Sequence, residues 1–144
     1  IVGQAEGFIT GDRTVARAMK ASGERIRFTG YVELDELKSL YAKATCAVFP
    51  SHYEGFGLGP LEAMTMGCPV IAADIPATRE VCAEAALTFD PYSPEQLGER
   101  LVEALMDPGL RTRLAQAGKL RSEAFSPEES IARTVELIRN TVNS

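Results

Sequence analysis

Cys46-Ala47-Val48-Phe49-Pro50 runs directly into Ser51-His52-Tyr53-Glu54-Gly55-Phe56-Gly57-Leu58-Gly59 and then into Pro60-Leu61-Glu62-Ala63-Met64. An apolar run of strand length, a loop with three glycines in five positions and a short apolar segment read as strand, turn and helix. Pro60 suits a first helical turn, and Gly67 followed by Pro69 is a stop, so the spacing predicts a brief helix over residues 60 to 66.

Outward from this unit the same alternation continues. Further strands are predicted at Ile1-Val2, Ile26 to Thr29, Val70 to Ala73 and Ala86 to Phe89. Residues 33 to 44 place Leu34, Leu37, Leu40, Tyr41 and Ala44 on one stripe, as a helix packed on a sheet would. Ile75 to Ala85 reads as a turn plus one short helix. Beyond residue 93 the pattern is helical, with capping-box starts at Ser93-Pro94-Glu95-Gln96 and Ser126-Pro127-Glu128-Glu129, and a third start at Asp107-Pro108. These helices are expected to bury Leu97, Leu101 and Leu105, then Leu110, Leu114 and Ala117, then Ile131, Val135, Ile138 and Val142. The fold class is therefore α/β: a Rossmann-like, doubly wound parallel sheet with helices on both faces, residues 1 to 144 forming one domain. The loosest stretch is the loop from Gly3 to Asp12, and nothing repeats.

Bulk properties narrow the partners. With 144 residues, 45% hydrophobic and 24% charged, the chain has the size and balance of one globular domain. A net charge of −5 and a pI near 5.0 give no general attraction to nucleic acid or anionic lipid, so any phosphate must be held locally. Cys46, Cys68 and Cys82 are odd in number, without CxxC spacing or clustered histidines, which argues against a disulfide framework and a zinc site and for reduced, cytoplasmic thiols. No stretch is apolar enough to cross a bilayer, and no signal peptide opens the chain.

In an open parallel sheet, ligands bind beyond the carboxyl ends of the strands, where the Ser51 to Gly59 loop belongs. Its glycines let the main chain approach a ligand closely, and the following helix turns free N–H groups and a positive dipole end toward it, which suits a diphosphate. Glu54 and Glu62 could each accept two hydrogen bonds from a vicinal diol of the flanking sugars. The bland alternative is a plain glycine turn with two solvated glutamates.

Glu54-Gly55-Phe56-Gly57-Leu58, Leu61-Glu62-Ala63-Met64 and Gly67-Cys68-Pro69-Val70-Ile71-Ala72 together resemble the signature of the glycogen-synthase-like, group 1 family of retaining glycosyltransferases. Those enzymes have the GT-B fold, two Rossmann-like domains facing across a cleft, and two glutamates with the spacing of Glu54 and Glu62 in the C-terminal, donor-binding domain. Phe28-Thr29-Gly30-Tyr31-Val32 is similar to the family's base-binding turn, and Glu80-Val81 to its glutamate after the fifth strand. The resemblance implies transfer of a sugar from a nucleotide-diphosphate donor to an acceptor with retention of configuration. It implies that Glu54 is catalytic and faces the donor sugar, that Phe56, Gly57 and Leu58 offer main-chain N–H groups, that Glu62 takes the ribose hydroxyls, and that Tyr31 and Val32 line the base pocket. It implies no metal and no cofactor beyond the donor itself. The acceptor class, sugar, lipid or small molecule, stays open, as do the donor base and sugar.

The sequence departs from the family pattern at Gly59, which precedes Pro60, and at Phe125-Ser126-Pro127, where relatives often carry tryptophan. The arginine and lysine that relatives direct at the diphosphate would precede Ile1. The chain is accordingly expected to lack the first strand and helix of its sheet and the N-terminal acceptor domain, through which peripheral membrane contact is also open, and to be inactive by itself. A non-catalytic nucleotide-binding module is the alternative, with a sugar phosphorylase or an epimerase as lesser options. Other side chains carry two readings each: His52 as base, sugar contact or bystander; Ser51 as phosphate donor or turn residue; Arg79 and Glu80 as a mutual pair or cleft residues, with Glu80 otherwise ordering the start of a short helix; Cys68 as a buried filler.

Overall fold

A computed structural model describes residues 1–3, 17–18 and 21–142. Most of the predicted loop from Gly3 to Asp12 lies outside the described residues. The chain divides into two compact units, Ile1–Ser39 and Leu40–Ser144, each considered by itself.

The second unit holds a three-stranded parallel sheet in the order β1 (Ala47–Phe49), β2 (Val70–Ala73), β3 (Ala86–Phe89). Ala47 pairs with Val70 and Phe49 with Ala72, while Val70 pairs with Ala86 and Ala73 with Phe89, so all three carboxyl ends lie on one edge. Every residue of β2 is buried. Alternation along the strand sends Val70 and Ala72 into one apolar cluster and Ile71 and Ala73 into another. A strand covered on both faces has no need of polar alternation, which is why Val-Ile-Ala-Ala reads as a continuous apolar run.

Two helices supply the first cluster. Helix α2 (Leu58–Thr65) contributes Ala63 and Met64, and α3 (Pro76–Cys82) contributes Val81 and Cys82, with Tyr41, Phe49 and Phe125 packed around them. Helix α4 (Pro94–Met106) covers the other face with Leu97, Leu101 and Ala104, beside Ile75 and Phe89. Helix α5 (Pro108–Ser122) rests on α2 at Gly118, where an added Cβ would lie 3.0 Å from Met64 Cγ. The N-cap bonds form: Ser93 Oγ accepts from Gln96 N–H at 3.2 Å and Asp107 Oδ1 from Leu110 N–H at 2.8 Å, while the reciprocal half of the box at Ser93 does not, since Gln96 Oε1 accepts from Asp90 N–H and Ser93 N–H donates to Asp90 O. Ser126 Oγ likewise accepts from Glu129 N–H, opening α6 (Pro127–Val142).

Several expectations are corrected. Neither Ile1-Val2 nor Ile26 to Thr29 forms a regular strand; the first unit has an isolated antiparallel bridge between Gly3 and Gly30, with Thr29 N–H donating to Ile1 O at 3.0 Å. In the latter segment Arg27 lies inside and Gly30 turns at φ +70° directly after it, so it presents no continuous apolar face. Helix α1 (Leu34–Lys43) exists where the stripe placed it, yet it contains no fully buried residue and Leu34 is 58% exposed. Of the residues expected inside the tail helices, Leu114 is buried, Leu97, Leu101 and Leu110 are partly so, and Leu105 and Ala117 are exposed. The stripe of α6 (Ile131, Val135, Ile138, Val142) is exposed throughout, because periodicity declares a face without supplying a partner for it. Finally, α2 begins at Leu58, two residues ahead of the predicted start.

Candidate functional site

The loop between β1 and α2 follows the carboxyl end of its strand, as the topology requires. Ser51 Oγ donates to Glu54 Oε1 at 2.6 Å, closing the turn and fixing the partly buried carboxylate. Ser51 is thus the turn residue of its two readings, with Glu54 as its acceptor. Gly57 is buried, takes φ +98° and stands at the N-cap of α2, a left-handed conformation costly for a residue with a Cβ. Among the described residues no side chain caps this helix. Leu61 N–H reaches Gly57 O at 3.3 Å, but Leu58 and Gly59 precede the first intrahelical bond, so their amides point out of the helix end. At Gly59 an added Cβ would lie 2.7 Å from Phe49 Cε1, so this glycine lets α2 lie against β1.

Glu62 falls in the second turn of α2 rather than the first, on its exposed side, since the helix starts earlier than predicted. Its carboxylate is close enough to add to the effect of burial in raising the Tyr41 hydroxyl above the usual phenol range. The Phe56 ring packs edge-on against Phe125 at 5.9 Å, beneath the Arg121 guanidinium, 4.8 Å from the Phe125 centroid. Arg121 in turn donates to Val81 O and Glu80 O, tying α5 to α3 next to the loop. Tyr31 and Val32 belong to the first unit, just past the turn at Gly30; Tyr31 is exposed and Val32 partly buried.

The remaining candidates sort as follows. Arg79 does not pair with Glu80: it makes a two-pronged ion pair with Asp74, Nε to Oδ1 at 2.6 Å and Nη2 to Oδ2 at 2.9 Å. Those hydrogen bonds hold the Asp74 carboxyl below its ordinary range. Glu80 lies in the second turn of α3, not at its start; Thr78 orders the start by accepting from Ile75 N–H at 3.2 Å and donating to Ala73 O. His52 stacks on Tyr92, ring centroids 4.9 Å apart. Burial pushes the thiols of Cys68 and Cys82 up to about 11, making them inert fillers, and raises that of Cys46. Sequence reasoning missed Asp74 and Asp90, each directly after a strand and therefore on the edge where ligands bind; their position was the available signal.

The family model described as "Glycosyl transferases group 1" matches residues 10–121. The chain belongs to the group 1 glycosyltransferases. This glycosyltransferase chain is 36% identical over 110 residues to the O-antigen chain mannosyltransferase B of Escherichia coli, covering 76% of the chain and 29% of that protein. It is 34% identical over 97 residues to the glycogen synthase of Mycobacterium tuberculosis, covering 66% and 23%. Among solved structures it superposes on a sucrose-phosphate synthase from Thermosynechococcus elongatus with a TM-score of 0.79 at 27% identity, over 98% of the chain and 37% of the other. A C-terminal domain of a group 1 family glycosyltransferase from Francisella tularensis gives 0.70 at 30% identity, over 81% and 62%. The glycosyltransferase chain thus spans about 29% of the length of its E. coli relative.

Proposed function

We propose that the protein transfers a sugar from a nucleotide-diphosphate donor to an acceptor with retention at the anomeric carbon, and that this chain supplies the donor site. The single observation that carries the reading is the uncapped start of α2: a left-handed Gly57 and the amides of Leu58 and Gly59 at the carboxyl edge, directly after an oriented Glu54. A helix N-terminus with unfilled amides stabilises a phosphate through hydrogen bonds and the helix dipole together.

In this reading the diphosphate rests on the α2 amides and leaves from there, the developing negative charge meeting preorganised donors. Glu54 accepts hydrogen bonds from the donor sugar's hydroxyls and steadies positive charge at the anomeric carbon. Glu62 takes the ribose hydroxyls, and Tyr31 and Val32 face the base. Phe56 contributes its main-chain N–H, since its ring is engaged with Phe125. The phosphate charge is met by the helix end and by positive side chains, so no metal is required. The free thiols suit a reducing, cytoplasmic setting.

The test is Glu54→Ala in the full-length protein. Transfer is expected to fall by at least about 100-fold with an unchanged melting temperature, since Glu54 bonds only to Ser51 among the described residues. A fully active variant would contradict the role. A donor-hydrolysis assay on the same protein separates a transferase from a module that binds nucleotide without reaction.

A further inference from the structure

The carboxyl edge carries a second hollow that the donor reading leaves unused. It has a volume of about 500 Å³, within the range of small-molecule sites, and lies beyond β2 and β3, lined by Asp74, Arg79, Asp90, Tyr92, Gln96 and Arg100. Its charges are matched within the protein. Arg79 is held by both oxygens of Asp74, and Arg100 donates to Thr88 O at 3.0 Å and Glu103 Oε2 at 2.9 Å. Asp90 anchors its own loop: its N–H donates to Gln96 Oε1 and its Oδ1 accepts from Tyr92 N–H, each at 2.9 Å.

Two arginines against two aspartates leave the lining neutral, so a phosphate would have to break an ion pair to gain one. What the network leaves over is of another kind. Among the described residues no group bonds the side-chain amide nitrogen of Gln96, Nη2 of Arg100 or Oδ2 of Asp90, which gives two donors and an acceptor in fixed positions. Beside them Tyr92 is 79% exposed, its ring backed by His52, tilted 44° to it. A flat apolar ring next to planar, hydrogen-bonding side chains matches a sugar, which presents a C–H face on one side and hydroxyls around its rim. An exposed tyrosine with a supported ring offers that surface at low conformational cost.

We propose that this hollow binds a neutral saccharide, with Tyr92 as the stacking platform and Asp90, Gln96 and Arg100 as its hydroxyl contacts, on the same edge as the donor loop and joined to it through His52. Its service as an acceptor or product subsite rests on the transfer reading above; saccharide binding does not.

The experiment is an NMR titration of the full-length protein with maltotriose and with an α-linked mannotriose, and separately with inorganic phosphate and a nucleoside diphosphate. A saccharide Kd of about 1 mM is expected, with shifts centred on Tyr92, Gln96 and Arg100. Tyr92→Ala should weaken it about 10-fold, Tyr92→Phe should restore most of it, and Glu62→Ala should leave it unchanged. Absence of saccharide shifts up to about 50 mM, phosphate shifts at Arg100 in place of them, or loss of saccharide binding in Glu62→Ala would each overturn the proposal. The nucleoside diphosphate arm reads the donor site alone, so failure of either site is seen separately.

Discussion

Helices α2 and α4 both begin at the carboxyl edge, yet they begin differently. Ser93 fills the first turn of α4 with its hydroxyl, and Asp107 does the same for α5, whereas α2 opens on Gly57 with no side chain among the described residues bonded to its amides. A capped start is complete as a structural element. An uncapped one must be held by packing elsewhere, and its amides remain available to an anion. The contrast extends inward: α2 buries Pro60, Ala63 and Met64, while α4 buries only Ala104 completely. Of these two helices, the one that leaves its end open is anchored more deeply in the core.

Truncating that anchor should have the largest effect. Met64 is fully buried against Gly118 of α5, and Met64→Ala is expected to cost about 3 kcal/mol in urea-induced unfolding, with nucleotide binding lost along with the fold. A loss below about 1 kcal/mol would mean that α2 is not held by packing, and the contrast would fail. The caps come next. Ser93→Ala and Asp107→Ala should each cost about 1 kcal/mol and leave nucleoside diphosphate affinity untouched, because the amides at those ends are already bonded to their cap side chains. A drop in affinity from either would blur the division between the two kinds of helix start.

The smallest effect concerns the turn into α3. Arg79 depresses the Asp74 carboxyl, so the pair stabilises the fold above the carboxylate's unfolded pKa, and this contribution is lost as pH falls through the depressed folded value. Both side chains are well exposed, so solvent screening keeps the effect modest. Asp74→Asn should slightly flatten the acid limb of the stability curve and leave the neutral plateau nearly unchanged, as thermal melts across pH 2 to 7 would read out.

How much of this the sequence disclosed depended on whether a signal was local. Val70 to Ala73 and Ala86 to Phe89 were legible because their apolar runs are bounded by turns, and the Ser93, Asp107 and Ser126 caps because a cap is decided within four residues. The same holds for the Glu54 to Gly59 loop, whose glycines announce a close approach. The start of α2 was misjudged because Pro60 is tolerated anywhere in a first turn, so the left-handed Gly57 set the boundary instead. The exposed stripe of α6 and the Asp74–Arg79 pair were illegible for another reason: each depends on what lies across space from it, which periodicity and spacing do not encode. Tyr92 and Asp90 carry no local signal; it is the parallel register that puts Asp90 on the ligand edge and the folded loop that sets Tyr92 against His52.

The central claim is that the amides at the open end of α2 receive a diphosphate. It is tested most directly by adding a nucleoside diphosphate to the isotopically labelled full-length protein and following backbone N–H resonances. The account predicts that Gly57, Leu58 and Gly59 shift most, with the cap amides of Gln96 and Leu110 still. Saturating nucleotide that leaves the three α2 amides unmoved would contradict it.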